Sequence, residues 1–206
     1  MENSKFFDEA YKICLREIKQ VDLKEKSEIL GSWKKNGFFI FPFFNRELAY
    51  DGDDFTDQSG EEVLPAIKLL LAKYIITCPE KISPGSARLL TFREFPGSGP
   101  LFSRFVDNTS KIMETTFSGC LAELEKRCRE LNGCIVETEG YDLSVRFKAL
   151  PRIPIILNFN DKEDGMPARA GFLFYDNASS YPDLQTLSII STYLTGRLID
   201  PKERLK

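Results

Sequence analysis

The chain reads as an α+β protein: one mostly antiparallel sheet, made from an N-terminal hairpin and C-terminal strands and packed by about four helices. Three observations predict this. Apolar residues recur at helical spacing in separate stretches. The aromatic and β-branched runs fall into two groups instead of alternating one by one with helices, which points away from parallel βαβ units. The 206 residues, 42% hydrophobic and 29% charged with 17 Phe, supply enough apolar area for one core, so a single domain over residues 1–206 is expected.

The elements follow in order. Phe7, Ala10, Tyr11, Cys14, Leu15, Ile18 and Val21 mark one face of an opening amphipathic helix, with Lys12, Arg16, Glu17, Lys19 and Gln20 on the other. Gly37–Phe43 is aromatic and too short for a typical helix. Asn45-Arg46 separates it from Leu48-Ala49-Tyr50, which predicts a hairpin with Pro42 at an edge or bulge. After an acidic loop over Asp51–Gly60, Ile67, Leu70, Leu71, Tyr74 and Ile75 form a second helical stripe. Ser59 and Glu62 have capping-box spacing, but Pro65 fits best as the first helical residue, where its missing N–H costs nothing.

A Pro- and Gly-rich connector surrounds Leu89–Phe95, and Pro96–Pro100 reads as a turn. One long helix is then predicted from Ile112 to Leu131, with Cys120 and Cys128 on its apolar face and Asn132-Gly133 as a left-handed stop. Segments near Leu143–Phe147, Ile153–Phe159 and Ala168–Tyr175 read as successive strands. A last helix carries Leu187, Ile190, Leu194 and Leu198.

Composition excludes several function classes. A net charge of −3 without a basic cluster argues against nucleic acid. The longest apolar runs fall short of the roughly 20 residues a spanning helix needs, and the N-terminus lacks a signal-peptide pattern, so no membrane partner and a cytoplasmic location are expected. Five scattered cysteines fit reduced thiols. Cys120 and Cys128 would stand roughly 12 Å apart along one helix, too far to share a metal or a disulfide. They read as core residues, and Cys78 and Cys134 as the more exposed thiols. The absence of histidine removes Ser-His-Asp and Cys-His mechanisms.

The remaining constellations are weaker. Asp51-Gly52-Asp53-Asp54-Phe55-Thr56-Asp57 with Glu62 echoes a calcium loop, but Phe55 and Thr56 stand where a ligand and the turn glycine belong, so it reads as a solvated acidic loop. No metal and no cofactor are expected. Gly97-Ser98-Gly99 could present N–H groups to an anion near Arg93, Arg104 and Lys111, although it lacks the remainder of a phosphate loop. Glu94, Asp142, Asp161, Asp164 and Asp176 stand at strand ends or turns. Two of them in one cleft could divide acid and base roles, whereas turn carboxylates usually bond their own backbone. Arg152, held between Pro151 and Pro154, is pre-organised for a carboxylate in the protein or on a ligand, the internal pair being the common case.

The segments Phe92–Pro100, Gly140–Phe147, Leu150–Pro154 and Phe174–Tyr181 carry a family resemblance. Through them nearly the whole chain resembles domain of unknown function 3786, met mainly in anaerobic bacteria and archaea. The resemblance implies a cytosolic domain in anaerobic metabolism, in the company of redox or corrinoid-dependent one-carbon proteins. Some members look like fusions to a cysteine-rich iron–sulfur module. Here Cys14 is the only cysteine before Cys78, so no cluster is carried over.

The leading functional reading is a non-catalytic accessory or binding domain, with Arg93, Gly97, Gly99, Arg146, Arg152 and Tyr181 as candidate ligand-binding residues. An unidentified small molecule, a protein partner or a second copy forming a homo-oligomer are the candidate partners. The alternative is a small-molecule enzyme using Glu94, Asp142 or Asp176 as acid/base, with Arg93, Arg146 or Arg152 as anion clamp. A third reading, an assembly protein, requires the Phe-rich hairpin to form an exposed apolar patch.

Overall fold

The structure is a computed structural model that describes residues 2–82 and 85–200, with residues 2–8 described by backbone alone. The side chain of Phe7, first in the predicted opening stripe, lies outside that set. Helix α1 (Glu2–Ile18) buries Tyr11 and Ile18. A short helix that the sequence pattern does not predict follows: α2 (Leu23–Leu30) buries only Leu23 and Leu30. Asp22 accepts the N–H groups of Lys24 and Glu25 at its start, and Gly31 ends it in the left-handed region at φ 66°.

Strands β1 (Trp33–Lys35), β2 (Phe38–Phe43), β3 (Arg46–Tyr50) and β4 (Phe55–Asp57) form an antiparallel meander in chain order. Asn36 and Gly37 both have positive φ in the tight β1–β2 turn. The expected hairpin is β2–β3. Pro42 pairs with Glu47 beyond the end of β1, which pairs only with Phe38–Ile40, so its missing N–H leaves no ladder bond to β1 unmade.

Helix α3 (Pro65–Ile76) begins at Pro65 as expected, and its only partly buried residues are Pro65, Ala66, Lys68, Lys73 and Ile76. The tyrosine Tyr74 donates to the Leu30 carbonyl at 2.9 Å, tying α3 to the end of α2. The predicted connector contains a strand, β5 (Leu89–Thr91), and a 3-10 turn over Phe92–Glu94. Helix α4 (Gly99–Asn108), which the sequence pattern does not predict, begins within the predicted Pro96–Pro100 turn, and the single helix predicted from Ile112 to Leu131 is instead two: α5 (Ser110–Phe117) and α6 (Leu121–Glu130). Thr109, at φ −132° and ψ −88°, breaks the first junction, and Gly119, at φ 76°, breaks the second. Cys120 therefore falls at the start of α6 and is exposed, not core, whereas Cys128 is buried as expected. Asn132, at φ 57°, is the left-handed stop.

Strands β6 (Cys134–Ile135), β7 (Leu143–Leu150), β8 (Ile153–Asn160) and β9 (Arg169–Tyr175) join β5 in a second antiparallel sheet of order β5-β9-β8-β7-β6. Helix α7 (Leu184–Ile199) closes the fold, with the Asp183 carboxylate accepting from the Thr186 N–H. The single expected sheet is thus two, and they meet where the Phe44 N–H donates to the Ala149 carbonyl at 3.0 Å.

Strand alternation sorts the second sheet into two faces. Val145, Phe147, Ile155, Leu157, Phe159, Phe172 and Phe174 point into one contiguous buried cluster with the helices. There Phe105 of α4 stacks on Phe92 at 4.1 Å and meets Phe172 and Phe174 edge-on. Each fully buried Phe contributes roughly 1.5–3 kcal/mol. The opposite face carries Ser144, Arg146, Lys148, Pro154, Ile156, Asn158, Gly171 and Tyr175. Among the described residues no helix is long and apolar enough to cross a membrane.

Candidate functional site

The outward face of the second sheet becomes a cleft where β7 runs into the corner between the sheets. In Leu143–Leu150 the period of two exposes Arg146 and Lys148 between buried neighbours. A register shift between Lys148 and Leu150 then ends the regular ladder, and Pro151-Arg152 turns the chain into β8.

That turn is anchored from behind. Arg152 donates from Nε to the Ile29 carbonyl and from an Nη to the Glu28 carbonyl, both at 2.7 Å. These carbonyls belong to the last turn of α2, where Glu28 otherwise accepts only the Gly31 cap N–H, so the cation both bonds them and complements the negative end of the helix dipole. The ion pair expected for Arg152 is therefore a helix cap. Pro151 packs directly on Gly31, where even a Cβ would come within 2.4 Å of the proline ring.

The cleft is also lined by Phe44, a bulky residue at φ 53° in the β2–β3 turn. That conformation is costly for an aromatic side chain and persists where surroundings enforce it. Its N–H bond to Ala149 and its ring contacts with Phe43 and Tyr193, at 5.0 and 5.5 Å, do so. The resulting cleft of about 530 Å³ has Arg146 and Lys148 above a floor that includes Pro42, Phe44, Pro154 and Tyr175. No carboxylate lines it, and neither cation has an ion-pair partner among the described residues. A volume of this size suits a small ligand. Two unneutralised cations over an apolar floor favour an anion with a nonpolar body.

The larger depression, about 780 Å³ beside α1 and the acidic loop, is of a different character. Glu61 and Glu62 on its rim are exposed, but the aspartates of the loop bond within the protein. Asp51 accepts the N–H groups of Asp53 and Asp54, and Asp54 holds Tyr11 and Lys68. Asp57 takes Arg46 and Ser59. Burial pushes the Tyr11 hydroxyl far up, reinforced by its bond to Asp54. For Asp57 burial acts upward, but the Ser59 and Arg46 bonds outweigh it and hold the carboxyl below the usual range. Among the described residues no group of three or more acids or cysteines could hold a metal ion.

The other residues singled out from sequence are dispersed. Arg93 lies over the Phe102 ring at 5.5 Å, beside Gly97 and Gly99 in a separate depression at the start of α4. Glu94 caps the 3-10 turn through Thr91, whose bonds hold its carboxyl below the usual range. Asp142 accepts the Asp161 N–H at 2.8 Å. Asp176 accepts the N–H and hydroxyl of Ser86. Asp142 precedes β7 in the row of Asn160 and Arg169, while Asp176 follows β9 at the other end, about 23 Å away along the strands. Tyr181 is a core residue, its ring 6.3 Å from Tyr74 and its carbonyl accepting from Thr77. Only Arg146, and Arg152 from behind, belong to the cleft. Lys148, Phe44 and Tyr175 were missed, although the period-two pattern from Leu143 to Lys148 places Lys148 beside Arg146.

Three of the four segments that set this chain apart in sequence, Gly140–Phe147, Leu150–Pro154 and Phe174–Tyr181, each supply a residue to this one corner. A family model, Domain of unknown function (DUF3786), matches residues 22–197. The chain belongs to that family. The matched span of this DUF3786 domain opens at Asp22, the cap of α2, and so takes in every residue of the cleft. No curated protein and no solved structure matches the chain.

Proposed function

We propose that this DUF3786 domain is a non-catalytic binding module that holds a small organic anion in the Arg146–Lys148 cleft. The observation that carries the reading is a pair of exposed cations, without an ion-pair partner among the described residues, over a floor of prolines and aromatics with no carboxylate in the lining. An acid/base enzyme would need two of Glu94, Asp142 and Asp176 in one cleft, and each instead accepts bonds at a separate place: Glu94 from Thr91, Asp142 from Asp161 and Asp176 from Ser86. An assembly role for the Phe-rich hairpin has little support, because Phe41 and Phe43 are fully buried and Phe38 is the exposed one. A cytoplasmic setting in anaerobic metabolism accompanies the proposal, resting on the family resemblance and on cysteines that are all unpaired.

The test is a titration of isotope-labelled protein with heptanoate, followed by amide NMR. Saturable shifts are expected at residues 44, 146–150, 152–153 and 175, and their loss in Arg146→Gln/Lys148→Gln. Shifts that do not saturate, or that survive the double substitution, overturn the proposal.

A further inference from the structure

One row along the outward face from Arg146, Ser144 and Asn158 stand directly opposite each other on β7 and β8. They are 3% and 2% exposed, and neither Ser144 Oγ nor Asn158 Oδ1 has a hydrogen-bond partner among the described residues. Two unpaired polar atoms side by side on a sheet are unusual, because buried polar groups are normally bonded and costly when they are not. The other two such atoms, Ser32 Oγ and Arg197 Nε, occur singly elsewhere in the fold. Gly171 pairs with Asn158 on the next strand. Beyond its chain neighbours, no atom lies within 4 Å of where a Gly171 side chain would begin. The face is therefore open at Gly171, next to Asn158.

We infer that Ser144 and Asn158 form a neutral polar subsite for the amide group of an organic anion whose acid group is held by Arg146 and Lys148. The inference rests on the anion-binding reading of the cleft and names the class of ligand. Asn158 Oδ1 accepts from an N–H and the Ser144 hydroxyl donates to a C=O, so one amide satisfies both. Alternate residues of a strand are spaced by about 7 Å, which sets the distance from acid to amide. Among their same-face neighbours, Asn160 is fixed by bonds to Asp142 and Gly140. Arg146, one row along, is exposed and has no ion-pair partner among the described residues.

The experiment compares 4-acetamidobutanoate with heptanoate, an aliphatic acid of equal chain length, on wild type, Ser144→Ala and Asn158→Leu. Affinities come from NMR titration, and thermal stability is measured without ligand. Each substitution is expected to weaken 4-acetamidobutanoate roughly two- to tenfold, the worth of one hydrogen bond, and to leave heptanoate unweakened. Stability is expected to hold or rise, since each removes an unpaired polar atom. Unchanged relative affinity of the two acids in both variants overturns the subsite while leaving the anion cleft standing. The subsite is equally overturned if both variants lose stability with affinities intact, the mark of a purely structural pair. Failure of heptanoate itself to bind wild type removes the anion cleft and the subsite together.

Discussion

Replacing Gly31 by alanine tests the junction that holds the cleft in place. At φ 66°, alanine incurs about 1–2 kcal/mol of backbone strain that glycine avoids. The added methyl would also lie 2.4 Å from Pro151 Cβ and 3.0 Å from its Cγ, well inside the ordinary contact distance of about 3.5–4.0 Å. Pro151 cannot retreat freely, because Arg152 beside it is bonded to Glu28 and Ile29 on the same helix end. Overpacking of this kind adds about 1–3 kcal/mol, for a total near 3 kcal/mol. In urea that moves the midpoint down by roughly 1–1.5 M, and in a thermal scan Tm falls by about 6–12 °C. Pro151→Gly removes the opposing Cβ, so Gly31→Ala made in that background should cost only the backbone share. The double-mutant cycle should then report a coupling of about 2 kcal/mol. A Gly31→Ala variant as stable as wild type, or a coupling near zero, refutes the reasoning.

Arg152→Ala should lower stability by about 1–3 kcal/mol in urea unfolding, and Arg152→Lys should recover less than half, because an ammonium cannot fork to two carbonyls. Asp57→Asn should cost about 1–3 kcal/mol at neutral pH, since it removes the carboxylate bonded to the half-buried Arg46 and leaves that guanidinium to the Glu62 carbonyl and the more distant Glu61. The folded-state Asp57 carboxyl titrates below its unfolded value of about 3.9, so its stabilisation is full above that pH and is lost as pH falls through the folded value. The wild-type advantage should therefore be flat from about pH 5 to 7 and shrink below about pH 4, and a constant advantage at acid pH would contradict the pairing. Burial pushes the Cys128 thiol up to about 12. Iodoacetamide at pH 8 followed by peptide mass spectrometry should label the exposed Cys120 and Cys134 and spare Cys128, and equal labelling would show that α6 is not packed as described.

Much of the fold was legible because local chemistry decided it. Pro65 set the start of α3, Asn132 ended α6, and the runs at Leu143, Ile153 and Ala168 became β7, β8 and β9 with ends displaced by a few residues. Helix α2 was illegible because its own sequence contributes little. Two buried leucines in eight residues do not stabilise a helix alone, and the caps from Tyr74 and Arg152 come from distant parts of the chain. The long predicted helix failed because a continuous apolar stripe survives a change of direction, although Gly119 carried a visible break signal. Thr109, which separates α4 from α5 ahead of that stripe, carried none. At the site, Arg146 was named from its motif, but the pairing of Ser144 with Asn158 depends on strand register, which turns and a bulge fix between separate segments. Asn36-Gly37, a strong hairpin signal, was present and would have revealed β1.

Both sheets are bordered by their shortest strands. β1, β4 and β5 have three residues each and β6 has two, whereas the interior strands run from five to eight. Further along β9, past the end of β5, the Ala170 N–H is taken by the Glu114 carboxylate of α5. Very short and covered borders are a common protection against a foreign strand adding to a sheet. For this chain they mean that two copies brought together at high concentration have almost no ladder to extend. Any stable self-association has to be built face against face, from side-chain surfaces such as exposed Trp33 and Phe38, and not by continuing either sheet into the next molecule.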